Sequence, residues 1–365
     1  IFEQQQWPSF KARILTIKLS NLIDKHNYRL EIYNGDYRLN DVRWFSTLNP
    51  NPKDFNYVVA SCMDDKFNDI QKNMWKGVYA LKPEALFLIG DNAYLDTKLD
   101  RSKKITAAHM WSRFIDHRKT LELYYYKKLI PVFGLWDDHD YGSNNGNKNF
   151  ELKAEATKIF QSFFPFYNIK EAQAGHGVGY KLSLANSNFY FLDARSFRDI
   201  RDAKTKKNGT HFGMAQEKWL YLHLNRDKRH SFLIKGDQFF GGYHSYESYE
   251  SHHPKSFKTF LNKVGRAKAP VFFISGDRHL TEIMELTKAD FKYKTYEHTS
   301  SGIHSSVYPG SFIESPNKRM MVGNDGVHNF SYIKSELTRK KLLLNITSFG
   351  YDRIVHYSKR LEFKK

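Results

Sequence analysis

The sequence predicts an α/β protein, and three observations carry that prediction. Six short apolar runs each break off into a polar cluster, as buried strands do where they end at a crevice. Stretches of good helix formers lie between several of these runs. The alternation of strand and helix is that of a mostly parallel or mixed sheet covered by helices.

In chain order, residues 1–52 read differently from the rest. Residues 13–19 alternate polar and apolar with the period of a half-buried strand, and 28–33 and 42–45 are similar. These form a short N-terminal β element, a small or truncated β domain, and Asn49-Pro50-Asn51-Pro52 closes it. The main domain is then 53–365. In it, residues 57–60 run into Ser61-Cys62-Met63-Asp64-Asp65, and 85–89 into Gly90-Asp91-Asn92-Ala93-Tyr94. Residues 130–136 run into Asp137-Asp138-His139-Asp140, and 189–192 into Asp193-Ala194-Arg195. Residues 232–234 run into Lys235-Gly236-Asp237-Gln238, and 271–274 into Ser275-Gly276-Asp277-Arg278-His279. Helices are expected over 67–81 and 150–164, the second with Ala156, Ile159, Phe160 and Phe163 as a core-facing stripe. The end of the chain, from about 332 to 361, reads as strands again.

Composition narrows the function classes. Hydrophobic residues make up 41% and aromatic residues 16%, which argues against disorder and supplies a large core. The net charge of +18 favours anionic partners, from nucleic acid and anionic lipid to phosphorylated small molecules. The Lys and Arg are spread along the chain, and no specific nucleic-acid module stands out. No apolar run approaches the roughly 20 residues that span a bilayer, so no transmembrane segment is expected. A single cysteine, Cys62, excludes an intrachain disulfide. The chain opens at Ile1 without a signal-peptide pattern, as a processed exported protein does. Nothing in the sequence sets an oligomeric state.

The strand-end clusters hold the donor types of a metal site: Cys62, Asp91, Tyr94, Asp138, Asn144, Asp277 and His279. Oxygen-rich sets bind hard cations, while a phenolate and a thiolate suit ferric iron. Tyr94, three residues after Asp91 on one turn, can reach the same cation. Each residue alone has a plainer reading. An Asp after a strand is often a helix N-cap, a lone Tyr or Cys is often core, and His139 could be structural. The run Asp137-Asp138-His139-Asp140 is harder to read that way, because its three carboxylates repel one another unless a cation or a basic side chain offsets them.

At these residues the sequence resembles the PhoD-like (alkaline phosphatase D) family of calcineurin-type metallophosphatases. The matching segments are Ala60-Ser61-Cys62, Gly90 to Asp96, Trp136 to Asn144, Leu192 to Arg198, Gln216 to Leu220, Ser275 to His279 and Thr299 to Gly302. The resemblance implies a four-layer α/β/β/α metallophosphatase sandwich, with 53–365 as its catalytic domain. It implies hydrolysis of phosphate mono- and diesters by a metal-activated hydroxide, and export to the periplasm or the exterior. The implied cofactors are Ca2+ and Fe3+, with Asp91 bridging, Cys62 and Tyr94 on the iron side, Asp138 and Asn144 on the other cation, and Asp277 and His279 one on each. His139 is the expected proton donor to the leaving oxygen, oriented by Asp140 or a neighbouring carboxylate. Arg195 is the expected contact to the phosphate of the anionic ester substrate, unless a salt bridge to Asp193 or Asp199 occupies it. The N-terminal β domain is shorter than the family's, and Asp237 and Gln238 lie in a segment that matches only loosely. Two rival readings are a phospholipase D-like phosphodiesterase with the same site, and a non-catalytic polyanion-binding protein suggested by the charge.

Overall fold

A computed structural model of the chain describes residues 2–6, 12–99, 104–165, 177–200, 209–339 and 341–364. Two mixed sheets face each other across one core. The first has six strands in the order Val132–Leu135, Ala85–Ile89, Asp54–Ala60, Phe330–Leu337, Lys341–Phe349, Val355–Lys364. Its first three strands are parallel and its last three are joined antiparallel. The second has seven, in the order Tyr180–Leu184, Ser187–Phe191, His230–Ile234, Val271–Ser275, Thr295–Ser300, Leu280–Leu286, Met320–Asp325.

Period-two alternation explains the layering. In the second sheet Phe189, Phe191, Phe232, Ile234, Phe272 and Ile274 point into the inter-sheet core. The residues between them, Tyr190, Leu233 and Phe273, belong to a separate outer cluster with Leu220, Phe257 and Phe260. That outer cluster is roofed by helices Met214–Arg226 and Pro254–Val264. Across the core, Phe87 meets Phe189 and Phe191 at ring separations of 5.1 and 5.3 Å. Helices Asn68–Ala80, Ala107–Thr120 and Lys153–Phe163 cover the first sheet. They do so through Trp75, Trp111, Phe114, Ile159 and Phe160, all buried. The result is the expected α/β/β/α order.

At the N-terminus, Arg13–Ile17 pairs with Phe2–Gln6, and Asn27–Leu30 pairs with Arg43–Ser46. The latter also takes Lys128–Leu129 from the main domain as a parallel neighbour. Arg43 reaches the carbonyls of Tyr124 and Tyr126, both at 2.9 Å. We propose that the segment up to residue 52 and the main domain are two folding units joined by a shared strand and an arginine clasp.

Candidate metal centre

Strands Asp54–Ala60, Ala85–Ile89, Val132–Leu135 and Val271–Ser275 deliver their following residues to one rim, and those residues are held in unusual backbone. Cys62, Asp91, Asp277 and His279 have φ of 60, 50, 64 and 52°. Each such residue costs about 1–2 kcal/mol in the left-handed region, a cost that concentrates at functional sites. Gly90 (φ 132°) lets the second loop close: a Cβ there would lie 2.7 Å from the Asp137 Cβ.

The carboxylates converge. Donor atoms of Asp91, Asp138 and His139 lie within 4.8 Å of one another, and so do those of Asp137, Asp138 and Asp277. Asp138 is common to both groups and is oriented by the backbone N–H groups of His139 (2.9 Å) and Asn145 (2.7 Å). Arg195 is the guanidinium closest to hand, with Nε 2.6 Å from Asp137 and Nη2 4.0 Å from Asp138. One guanidinium does not balance four acids, three of them buried and Asp277 half-buried. Burial, followed by the charges of Cys62 and Asp138, raises the Asp91 carboxyl well above its usual range. Asp137 is also raised by burial, and Asp277 is pushed up to about 7 by burial and by Asp138. For Asp138 burial acts in the same sense, but Arg195 and His139 outweigh it and hold the carboxyl down to about 2. The second oxygen of Asp137 is buried with no hydrogen-bond partner among the described residues. Such a pocket fits cations, which would supply the missing positive charge.

The softer donors sit beside this cluster. The Cys62 sulfur is 3.5 Å from Asp91 Oδ2, and the Tyr94 hydroxyl is 3.5 Å from His279 Nε2. His279 Nδ1 lies 2.6 Å from the Ser306 carbonyl, to which it donates, so the Nε2 lone pair is the one offered to a ligand. Burial keeps this imidazole neutral by lowering it to about 4. Burial also pushes the Cys62 thiol up to about 12 and the Tyr94 phenol well above its usual range. Both ionise readily only beside a strong Lewis acid.

The expected catalytic side chains are held by partners from several loops. Of the two alternatives for orienting His139, the structure has a neighbouring carboxylate: Nδ1 is held at 2.7 Å by Asp96 and not by Asp140. Asp140 instead accepts from the N–H groups of Ala93 (2.9 Å) and Asp137 (3.0 Å), and so pins two site loops together. Arg195 is fully buried, with Nε on Asp137 and Nη1 on Glu247, each at 2.6 Å, while Nη2 has no hydrogen-bond partner among the described residues. Only its backbone N–H meets Asp193 (2.9 Å). Asn144 is exposed on the wall of the cleft, its N–H on Asp96 at 3.0 Å. Asp237 and Gln238 are tied into the interior, by Lys235 at 2.6 Å and Glu282 at 2.7 Å respectively.

The centre opens into a cleft of about 640 Å³ whose wall includes His139, Tyr246, Asp277, Arg278 and Tyr308. Arg278 packs over Tyr246 at 4.1 Å and forms no salt bridge among the described residues. Sequence reasoning passed over Asp96, Glu247 and Arg278. Asp96 and Arg278 stand inside segments already singled out, whereas Glu247 lies in a tyrosine-rich loop with no motif.

The description of the PhoD-like phosphatase family matches residues 57–351. Among solved structures, the structure of PhoD aligns over 97% of this chain and 80% of that one, with a TM-score of 0.71 at 16% identity. That likeness is one of fold. A predicted phosphoesterase from Streptococcus pneumoniae aligns over 86% of this chain and 98% of its own at a TM-score of 0.32 and 9% identity. A novel phosphatase from Mycoplasma pneumoniae gives the same score and identity over 86% and 94%, and neither carries an argument. No curated protein matches the chain.

Proposed function

Because the chain belongs to the PhoD-like phosphatase family, we propose that it is a metal-dependent hydrolase of phosphate mono- or diesters working at this centre. The observation that carries the proposal is the excess of acid: Asp91, Asp137 and Asp138, all buried, and half-buried Asp277 meet with Arg195 as their buried counter-charge. We assign the side with Cys62, Tyr94 and His279 to ferric iron and the carboxylate side to calcium, on the chemistry of the donors. When bound, the cations supply positive charge to the phosphoryl oxygens and an activated water as nucleophile.

The chain's own groups do the rest. His139 lines the cleft with Nδ1 on Asp96, which leaves Nε2 as the nitrogen available to the leaving oxygen. Burial opposes its protonation, yet Asp91, Asp138 and Asp96 push the imidazole up to about 11. With Asp91 and Asp138 neutralised by bound cations, Asp96 is the carboxylate left to hold the proton there until the alkoxide takes it. Arg278, partly exposed on the wall, is a second guanidinium placed to meet a phosphate oxygen beside Arg195. The test is elemental analysis joined to turnover of aryl phosphate mono- and diesters before and after chelation. Bound iron and calcium with chelator-sensitive turnover are expected. Protein that takes up no metal and turns over neither ester overturns the reading.

A further inference from the structure

Away from the cleft, unpaired cations gather on the outer face of the seven-stranded sheet. There helix Pro254–Val264 and the loop after strand Leu280–Leu286 enclose a groove of about 550 Å³ that shares no lining residue with the cleft. Phe240, Phe257 and Phe291 form its floor, and all three are buried. Lys258, Lys288 and Lys292 stand exposed around it. The groove's two acids are already taken. Glu250 grips Arg319 through both oxygens at 2.8 and 2.9 Å, and Asp290 holds the same guanidinium at 2.8 Å. The three lysines form no salt bridge among the described residues, and neither do Lys263, Arg266 and Lys268 at the end of the helix and in the turn after it.

Like charges brought together around a concavity without counter-charges repel one another, and an anion that enters relieves the repulsion. We propose that this face is a binding groove for a flexible linear polyanion, a chain of phosphates that lies along the lysines, separate from the metal centre. The shape argues for that occupant. A bilayer engages protruding apolar side chains, whereas here the phenylalanines are sunk and only the lysine heads project. Single-stranded nucleic acid binds by stacking bases on exposed aromatic rings, and the groove's rings are buried. The inference goes beyond the phosphoesterase reading and does not depend on it.

The test uses the whole chain with long-chain inorganic polyphosphate, single-stranded DNA and vesicles of anionic phospholipid as probes. Polyphosphate binding that weakens with salt is expected. The triple variant Lys258→Glu, Lys288→Glu, Lys292→Glu should lose about tenfold or more in affinity. A control of equal net charge, Lys72→Glu, Lys76→Glu, Lys158→Glu, should lose much less. Thermal unfolding reports the fold of each variant independently of any hydrolysis, so failure of the enzymatic reading leaves this test intact. Equal losses in the two triple variants overturn the proposal, because binding would then follow overall charge. Absence of polyphosphate binding overturns it too, as does a groove variant that loses vesicle or DNA binding in its place.

Discussion

Asp237 and Asp277 follow two neighbouring parallel strands, His230–Ile234 and Val271–Ser275, at the same rim, Asp237 buried and Asp277 half-buried. Their surroundings are opposite. Asp237 has Lys235 at 2.6 Å and Arg198 at 2.7 Å. Burial opposes its ionisation, but Arg198 and Lys235 hold the carboxyl well below its usual range. Asp277 faces Asp137 and Asp138, and its carboxyl is pushed up to about 7. Glu247 marks the border, giving one oxygen to Arg195 (2.6 Å) and the other to Arg198 (2.8 Å). A buried acid matched by internal cations is part of the scaffold, whereas a group of acids that outnumbers its cations is waiting for charge from outside. The contrast separates structure from function more sharply than burial does.

The largest effect should come from emptying the unbalanced side. Asp91→Asn should lower turnover by about 10³-fold or more with loss of bound metal, since metal assistance supplies several kcal/mol of transition-state stabilisation. A variant with normal metal content and rate would break the contrast. On the balanced side, Asp237→Ala should destabilise the fold by about 3–5 kcal/mol by stranding Lys235 and Arg198, which denaturant unfolding reads directly. The metal-to-protein ratio of the folded fraction should be unchanged. Asp96→Asn should cost about 10–100-fold in turnover through misorientation of His139, with the metals retained. Loss of metal in that variant would move Asp96 from proton management to ligation.

The smallest effect concerns pH, measured as unfolding free energy on chelated protein. The Asp277 carboxyl is raised, so the fold binds its proton more tightly than the unfolded chain does. Its contribution grows as pH falls from about 7 to about 4, the usual carboxylate range, and then levels off. Asp237 is depressed, so its contribution is present above about pH 4 and is lost as pH falls further. Asp277→Asn should therefore flatten the profile between pH 7 and 4, while Asp237→Asn should flatten it below. The same slope for both variants would remove the distinction.

The legible parts of the molecule were those with a local signature. Runs such as 85–89 and 271–274 became the strands Ala85–Ile89 and Val271–Ser275 because parallel strands buried on both faces need apolar residues throughout. The polar clusters that end them showed where a crevice forms. Strand Thr295–Ser300 was not legible, because its residues are all buried yet mostly polar. Glu297 there accepts from Phe239 N (2.8 Å), Phe240 N (2.8 Å) and Ser275 Oγ (2.7 Å), partners that only the folded chain brings near. The partners of Arg195 were hidden for the same reason. Its nearby acids suggested a local partner, but the carboxylates that hold its side chain lie 58 and 52 residues away. Charge pairing across such separations leaves no mark on a window of sequence.

The strand that carries Cys62 has its two neighbours at opposite ends of the main domain: Asp54–Ala60 lies between Ala85–Ile89 and Phe330–Leu337. A chain still emerging from the ribosome can form the first pairing early, but the second must await residues more than 270 positions further on. His279 and the loop that receives its ring nitrogen also arrive late. Cys62 and His279 therefore meet only after more than half of the domain between them has been made, so closing the centre is a long-range step of folding and not a local one.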